Sequence, residues 1–248
     1  MLILGIDTAT PRGTVALNED GENIFEFGFK AGKGGGEYVI SLLNPFFSRA
    51  GRDFSQLGLV AAGTGPGSYT GIRVGLATVA GLTEGLRIPV YGVNTLRIIA
   101  ENARNVAEWV AVALDARRTE VYAALYHWED DDLREMLSPR AIPAGDFAAS
   151  LGELTSVIIC GDGSKKYRDI WLAAHPLITI GPERWDYPLA GLAIEIARRK
   201  WRPGLSDASA LTPSYLKRVE AEIRLEEKLR EDQCDANVCR GFGRGSGD

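Results

Sequence analysis

The chemistry open to this chain begins with an acid and a run of glycines. Asp7 closes the apolar stretch LILGID, and Thr8 and Thr10 follow it in a short polar turn. A carboxylate, two hydroxyls and the turn's amides thus share one place. That set could face a phosphate and its metal, and it could equally cap a strand end. The second feature is GTGPGSYTGIRVGLATVAGL, residues 63–82. Glycine-rich turns that open a helix commonly hold a phosphate on backbone N–H groups. The named motifs fail here, however. No lysine follows Gly65 or Gly67 as a P-loop requires, and Thr70 stands where the dinucleotide fingerprint has its third glycine. A nucleophile elbow needs glycines two residues either side of Ser68, and Pro66 and Thr70 occupy those places.

Other reactive side chains are scarce. The two histidines, His127 and His175, have no partner at ligand or triad spacing and read as structural or surface residues. Asp130, Asp131 and Asp132 read as a solvated hairpin tip. Three cysteines in a chain of 248 residues do not make a disulfide framework, and Cys234 and Cys239 have no further ligand candidate near them. A net charge of −5 gives no electrostatic ground for tight nucleic-acid binding by this chain alone. The run before Asp7 is too short for a signal peptide, and no window approaches a membrane span. A cytoplasmic location without membrane contact is the expectation.

The elements that must position these residues follow from the apolar pattern. Residues 2–6 and 13–18 read as a hairpin, with a third strand over 23–29, a helix over 37–50, a buried strand at 58–62 and a helix over 69–86. A short strand at 90–93 and a helix over 94–105 come next. The pattern then restarts: WVAVALDARRTEVYAALYHW (109–128) repeats the order strand, Asp, polar turn, strand. A strand at 133–138, a helix at 143–151, a strand at 156–160 and helices at 163–173 and 187–201 complete it. Two copies of β-β-β-α-β-α point to an α/β fold made by internal duplication, with lobes 1–105 and 106–218. Residues 219–231 read as a solvated helix and 232–248 as disordered.

The helix after the glycine loop lacks a polar face, its charges being Arg73 and Glu84. Gly71 and Gly75 lie four apart, as do Ala77, Gly81 and Gly85, so both tracks allow close backbone approach. Each glycine in a helix interior costs about 1 kcal/mol relative to alanine, which calls for compensating close packing. The preceding helix is similarly bare, with Glu37 and Arg49 its charges and Pro45 inside it. Two such neighbours can cover one side on their own sheet, and the other side needs either the second lobe or a partner.

ILGIDTAT (3–10), GTGPGSYTGIRVGLATVAGL (63–82), PVYGVNTL (89–96) and ALDARRTEVYAALY (113–126) together resemble the TsaB (YeaZ) family over about residues 1–218, and GPGSYTGIRVG is specific to it. The resemblance implies the actin/hexokinase-like (ASKHA) fold, in which an acid and turn like Asp7, Thr8 and Thr10 form a weak nucleotide site. It implies a non-catalytic role: partnership with TsaD, which transfers a threonylcarbamoyl group from its adenylate to an adenosine beside the tRNA anticodon, with TsaE completing the complex. tRNA is then reached only through the complex. No cofactor is required, and ATP or ADP at the TsaD interface is the one candidate. A homodimer in isolation and the heterodimer with TsaD would share one surface, carried by Tyr38, Leu42, Phe46, Gly71, Val74, Gly75, Thr78 and Leu82. TsaD's His-x-x-x-His metal pair falls here on Thr95 and Ile99, and isoleucine has no donor atom. Where other members often begin the first helix His-Ser-Glu, this chain has Gly35-Gly36-Glu37. The competing expectation is a small-molecule kinase or another active ATPase of the same fold. A peptidase would need a Ser, Cys or metal site that the residues do not supply.

Overall fold

The apolar N-terminal run forms β1 (Leu2–Asp7), buried throughout, and pairs antiparallel with β2 (Arg12–Glu19). Asp20 and Gly21, both at positive φ, make the two-residue turn into β3 (Glu22–Lys30). On β3, Phe25, Phe27 and Phe29 alternate toward the core. Phe46 of α1 (Gly35–Arg49) stacks on Phe27 at 4.2 Å between centroids. The chain returns as β4 (Leu57–Gly63), parallel to β1, then α2 (Tyr69–Leu86) and β5 (Val90–Val93). A short α3 (Thr95–Ala100) ends in a single 3-10 turn, Glu101–Ala103.

The second half repeats this order. β6 (Trp109–Asp115), β7 (Glu120–Glu129) and β8 (Asp132–Pro143) are an antiparallel meander, followed by α4 (Ala144–Ser150) and a parallel β9 (Val157–Cys160). α5 (Asp162–Lys166), α6 (Arg168–Ala174) and β10 (Ile178–Ile180) follow. The two sheets have orders β3-β2-β1-β4-β5 and β10-β9-β6-β7-β8. Read outward from the first strand of each half, these are the same order, which is the duplicated α/β class that the sequence implies. The computed structural model describes residues 1–30, 35–152, 154–203 and 211–217, and of 35–38 only the backbone. Met1–Leu216 forms one compact unit containing both sheets. The helix expected at 219–231, the tail at 232–248 and Cys234 with Cys239 lie outside the described residues.

Each face of the first sheet has its own cover. Leu4, Ile6, Val15 and Leu17 meet Leu43 and Phe47 of α1 and Ile72, Leu76 and Val79 of α2. Ile3, Ala16, Leu59 and Ala61 point the other way, against Ala190, Ala193, Ile194 and Ala197 of α7 (Ala190–Lys200). This is the two-residue alternation of a strand buried on both faces. Three expectations need correction. The helix expected over 94–105 stops early, where the buried Glu101 pairs with Arg104 and Arg199. The one expected over 163–173 breaks at Tyr167, whose backbone leaves the helical region. Asp130 and Asp131 are an exposed tip, but Asp132 pairs with Arg97 of α3 and with Lys200 of α7, and so ties three elements together.

α7 has no side-chain cap of its own. Glu26 of β3 supplies one, since its Oε1 accepts from the Gly191 amide at 2.9 Å. Burial raises the Glu26 carboxyl above its ordinary range while that bond lowers it. Glu26→Ala is expected to cost about 1 kcal/mol in urea unfolding, the usual scale of a lost cap. Glu26→Gln keeps an oxygen acceptor and should recover most of that. A neutral Glu26→Ala would show that water caps the helix as well.

Candidate functional site

The acid at the end of β1 is wholly inside. Asp7 is 1% exposed; its Oδ1 accepts from the Ala9 amide at 2.8 Å and its Oδ2 from the Thr95 hydroxyl at 2.7 Å. The Thr95 hydroxyl in turn accepts from the Gly65 amide at 3.1 Å. One carboxylate therefore joins the β1–β2 turn, the glycine loop and the first turn of α3. Burial pushes the Asp7 carboxyl up to about 6, against the two hydrogen bonds that lower it. Thr8 and Thr10 are buried too, with hydroxyls donated to the carbonyls of Gly71 and Arg12, each at 2.7 Å. The structure brings the three expected residues together, but their polar atoms are bonded within the chain.

The glycine loop explains why. The Ser68 amide donates to the Ala9 carbonyl at 2.6 Å, and the Ser68 hydroxyl caps α2 through the Gly71 amide. A Cβ on Gly71 would lie 2.1 Å from the Thr8 carbonyl oxygen, and one on Gly75 would lie 2.2 Å from the Thr8 hydroxyl. Both approaches are far inside contact distance. The loop and the first turns of α2 are glycine-rich because the chain's own β1–β2 turn sits against them.

Gly71 and Gly75, two of the eight residues expected on the partner face, make room for Thr8 of the same chain. Of the eight residues placed there, Gly75 and Thr78 are buried, and Leu42, Phe46, Gly71, Val74 and Leu82 are half-buried. Phe46 is engaged by Phe27, and the Thr78 hydroxyl bonds back to the Val74 carbonyl. The Tyr38 side chain lies outside the described residues. The outward face of α2 is instead Thr70, Arg73, Ala77, Ala80, Gly81, Glu84 and Gly85, with Ile40, Ser41, Asn44 and Ser48 exposed on α1. Gly81 and Gly85 have nothing within 4 Å of an added Cβ, so the second glycine track does look outward.

The second half carries a comparable acid in a different setting. Asp115 ends β6 and accepts from Lys166 Nζ at 2.6 Å, the Tyr167 hydroxyl at 2.8 Å and the Arg117 amide at 3.0 Å. Against a burial effect that raises it, these contacts hold its carboxyl below the ordinary range. His127 pairs with Glu108 and packs at a tilt against Trp109, while buried His175 bonds to the Leu154 carbonyl. Cys160 is a buried free thiol pushed up to about 12 by that burial. Among the described residues no group of three or more His, Cys, Asp or Glu side chains could hold a metal ion, and no helix is long and apolar enough to cross a membrane.

Sequence reasoning missed Tyr215. Its hydroxyl lies 3.1 Å from Arg73 Nε, and its ring packs 4.8 Å from that of Tyr69. Nothing local in TPSYLK signals a contact with a helix so far back in the chain.

Comparison with known proteins gives one consistent answer. The family model described as TsaD, tRNA N6-adenosine threonylcarbamoyltransferase, matches residues 31–225. The tRNA threonylcarbamoyladenosine biosynthesis protein TsaB of Escherichia coli (strain K12) is 33% identical over 150 residues, 57% of this chain and 64% of that protein. The chain thus spans just under two thirds of that relative. The TsaB of Bacillus subtilis (strain 168) is 25% identical over 234 residues, 93% of this chain and 100% of that protein. The solved structure of YeaZ from Pseudomonas aeruginosa superposes with a TM-score of 0.72 at 26% identity, covering 87% of this chain and 99% of that one.

Proposed function

We propose, since this chain belongs to the TsaB (YeaZ) family of TsaD-like proteins, that it serves tRNA threonylcarbamoyladenosine biosynthesis as a non-catalytic subunit that docks on and activates TsaD. The observation that carries the non-catalytic part lies at the two positions where the resemblance puts TsaD's histidine pair. The Thr95 hydroxyl is committed between Asp7 and Gly65, and Ile99 is fully buried with Leu96, Ala103 and Val110. Neither side chain can stand in for an imidazole at a metal.

The docking surface is the outward face of α2 with its neighbours on α1. Its alanines and glycines let another helix approach closely, and a stable interface needs roughly 1,200–2,000 Å² in total. In isolation the same face pairs two copies, so TsaD displaces the homodimer. TsaE joins the complex, tRNA is met only there, and the setting is the cytoplasm. The chain needs no cofactor of its own. With the polar atoms of Asp7, Thr8 and Thr10 already bonded, ATP or ADP binds at best weakly until TsaD is present.

Reconstitution tests this. TsaD, TsaE, threonylcarbamoyl-adenylate and unmodified tRNA are combined with and without this chain, and modified adenosine is counted by mass spectrometry. Expected is at least a tenfold gain on adding the chain, and no product when TsaD is left out. Product without TsaD would overturn the non-catalytic assignment, and no gain with TsaD would overturn the partnership.

A further inference from the structure

The segment Leu211–Leu216 lies on the α1/α2 side of the first sheet, opposite α7. α7 lies on the Ile3 and Ala16 face, whereas Leu211 packs into the opposite core with α1 and α2. Three further contacts fix the segment. The Ser214 amide donates to the Thr64 carbonyl at 2.8 Å, and the Ser214 carbonyl oxygen lies 3.4 Å from where Gly65 would carry a Cβ. The Tyr215 hydroxyl accepts from Arg73 Nε. The Arg73 guanidinium lies 3.9 Å from the Tyr69 ring centroid, and the two tyrosine rings pack on each other. Arg73 is one of two charged residues on α2, and it is engaged by aromatic faces on the surface that the proposed function gives to TsaD.

From this geometry we infer that Tyr69, Arg73 and Tyr215 form a latch that makes the strap 211–216 part of the TsaD-docking surface. Tyr215 is 41% exposed and Arg73 is exposed, so a partner on the outer face of α2 meets both at the helix's first turns. Tyrosine and arginine are the residue types that dominate interface energetics when a partner covers them. Holding their rings and guanidinium in one arrangement beforehand removes ordering cost on docking. The strap thereby couples the C-terminal part of the chain to the helix that is read. The inference rests on the TsaD partnership and specifies how its site is kept in order.

Three full-length variants test it. Tyr215→Ala removes the ring, Tyr215→Phe removes only the hydroxyl, and Ser214→Pro removes the amide bonded to Thr64 while sparing the tyrosine. Hydrogen exchange of the 211–217 peptide, followed by mass spectrometry on the chain alone, reads the latch. Calorimetric titration with TsaD reads docking, with circular dichroism confirming the fold. Tyr215→Ala and Ser214→Pro are expected to speed exchange at least tenfold and to weaken TsaD binding at least tenfold, and Tyr215→Phe to change each about threefold. Wild-type exchange in Tyr215→Ala would overturn the latch. Fast exchange with unchanged affinity, or weakened binding in Tyr215→Ala alone, would overturn the strap's part in docking. A wild-type chain that does not bind TsaD would defeat the partnership and docking together, while the exchange result still decides the latch.

Discussion

Gly71→Ala is expected to cost about 3 kcal/mol or more of stability, while Gly81→Ala and Gly85→Ala on the same helix should each gain up to about 1 kcal/mol. The added methyl at Gly71 would lie 2.1 Å from a backbone oxygen of Thr8, and that oxygen belongs to a turn pinned by Asp7 and Ser68. No flexible side-chain end is available to move aside, so the helix or the turn must shift, at the upper end of overpacking costs. Gly75→Ala meets the Thr8 hydroxyl instead, a smaller group to displace, and its cost should fall between these. At Gly81 and Gly85 the methyl enters open space and brings only the helix preference of alanine over glycine. Urea unfolding of the four variants measures this directly. Equal costs along the helix would show that propensity rules and that the turn does not abut α2. The same geometry separates folding from docking: Gly81→Arg should stay folded and lose TsaD, whereas Gly75→Arg should unfold.

The glycines mark both how much the sequence reveals and where it stops. Strand, acid, polar turn, strand is legible twice, at Asp7 and at Asp115, because apolar runs and turn residues are local signals. The duplicated sheet order follows from them. That α2 must be packed closely is also legible, because four glycines in a helix need compensation. Which track faces in is not. The answer depends on Thr8, whose hydroxyl bonds to Gly71 across 63 positions of chain, and helical spacing treats Gly71–Gly75 and Gly81–Gly85 alike. The missed contacts share this character. Glu26 caps α7 from 165 residues away and Tyr215 reaches Arg73 across 142, while Asp132 looks like part of a solvated acidic tip until Arg97 and Lys200 arrive. Composition and periodicity locate elements. They do not say which side chain from a distant element meets them.

Asp7→Asn is expected to change how stability depends on pH. The folded carboxyl titrates near 6 instead of its ordinary 3.8, so the fold favours the protonated form. Its ionised form therefore carries a penalty that is full above about pH 6, shrinks as pH falls, and is gone below about 3.8. A displacement of about two pKa units corresponds to about 3 kcal/mol in all, of which about 1.4 kcal/mol is recovered by pH 5. The residues around the group are Thr8, Ala9, Thr14 across the hairpin, Gly63 and Thr95, none of them charged, so no nearby cation offsets the burial. Asparagine keeps an oxygen for the Ala9 amide and turns an N–H toward Thr95, without the charge. The variant should at least match the wild type at pH 7.5 and lose about 1.4 kcal/mol relative to it by pH 5. Taking the difference between the two proteins matters, because Asp115 and Asp132 are held low by their partners and push total stability the other way as pH falls. Urea unfolding of both proteins at the two pH values supplies the four numbers. A difference that does not move with pH would mean that Asp7 ionises as freely as in water. That outcome would return it to the part of a phosphate-side acid, with its carboxylate available to a metal. A difference that moves as expected makes Asp7 the internal tie between β1, the glycine loop and α3.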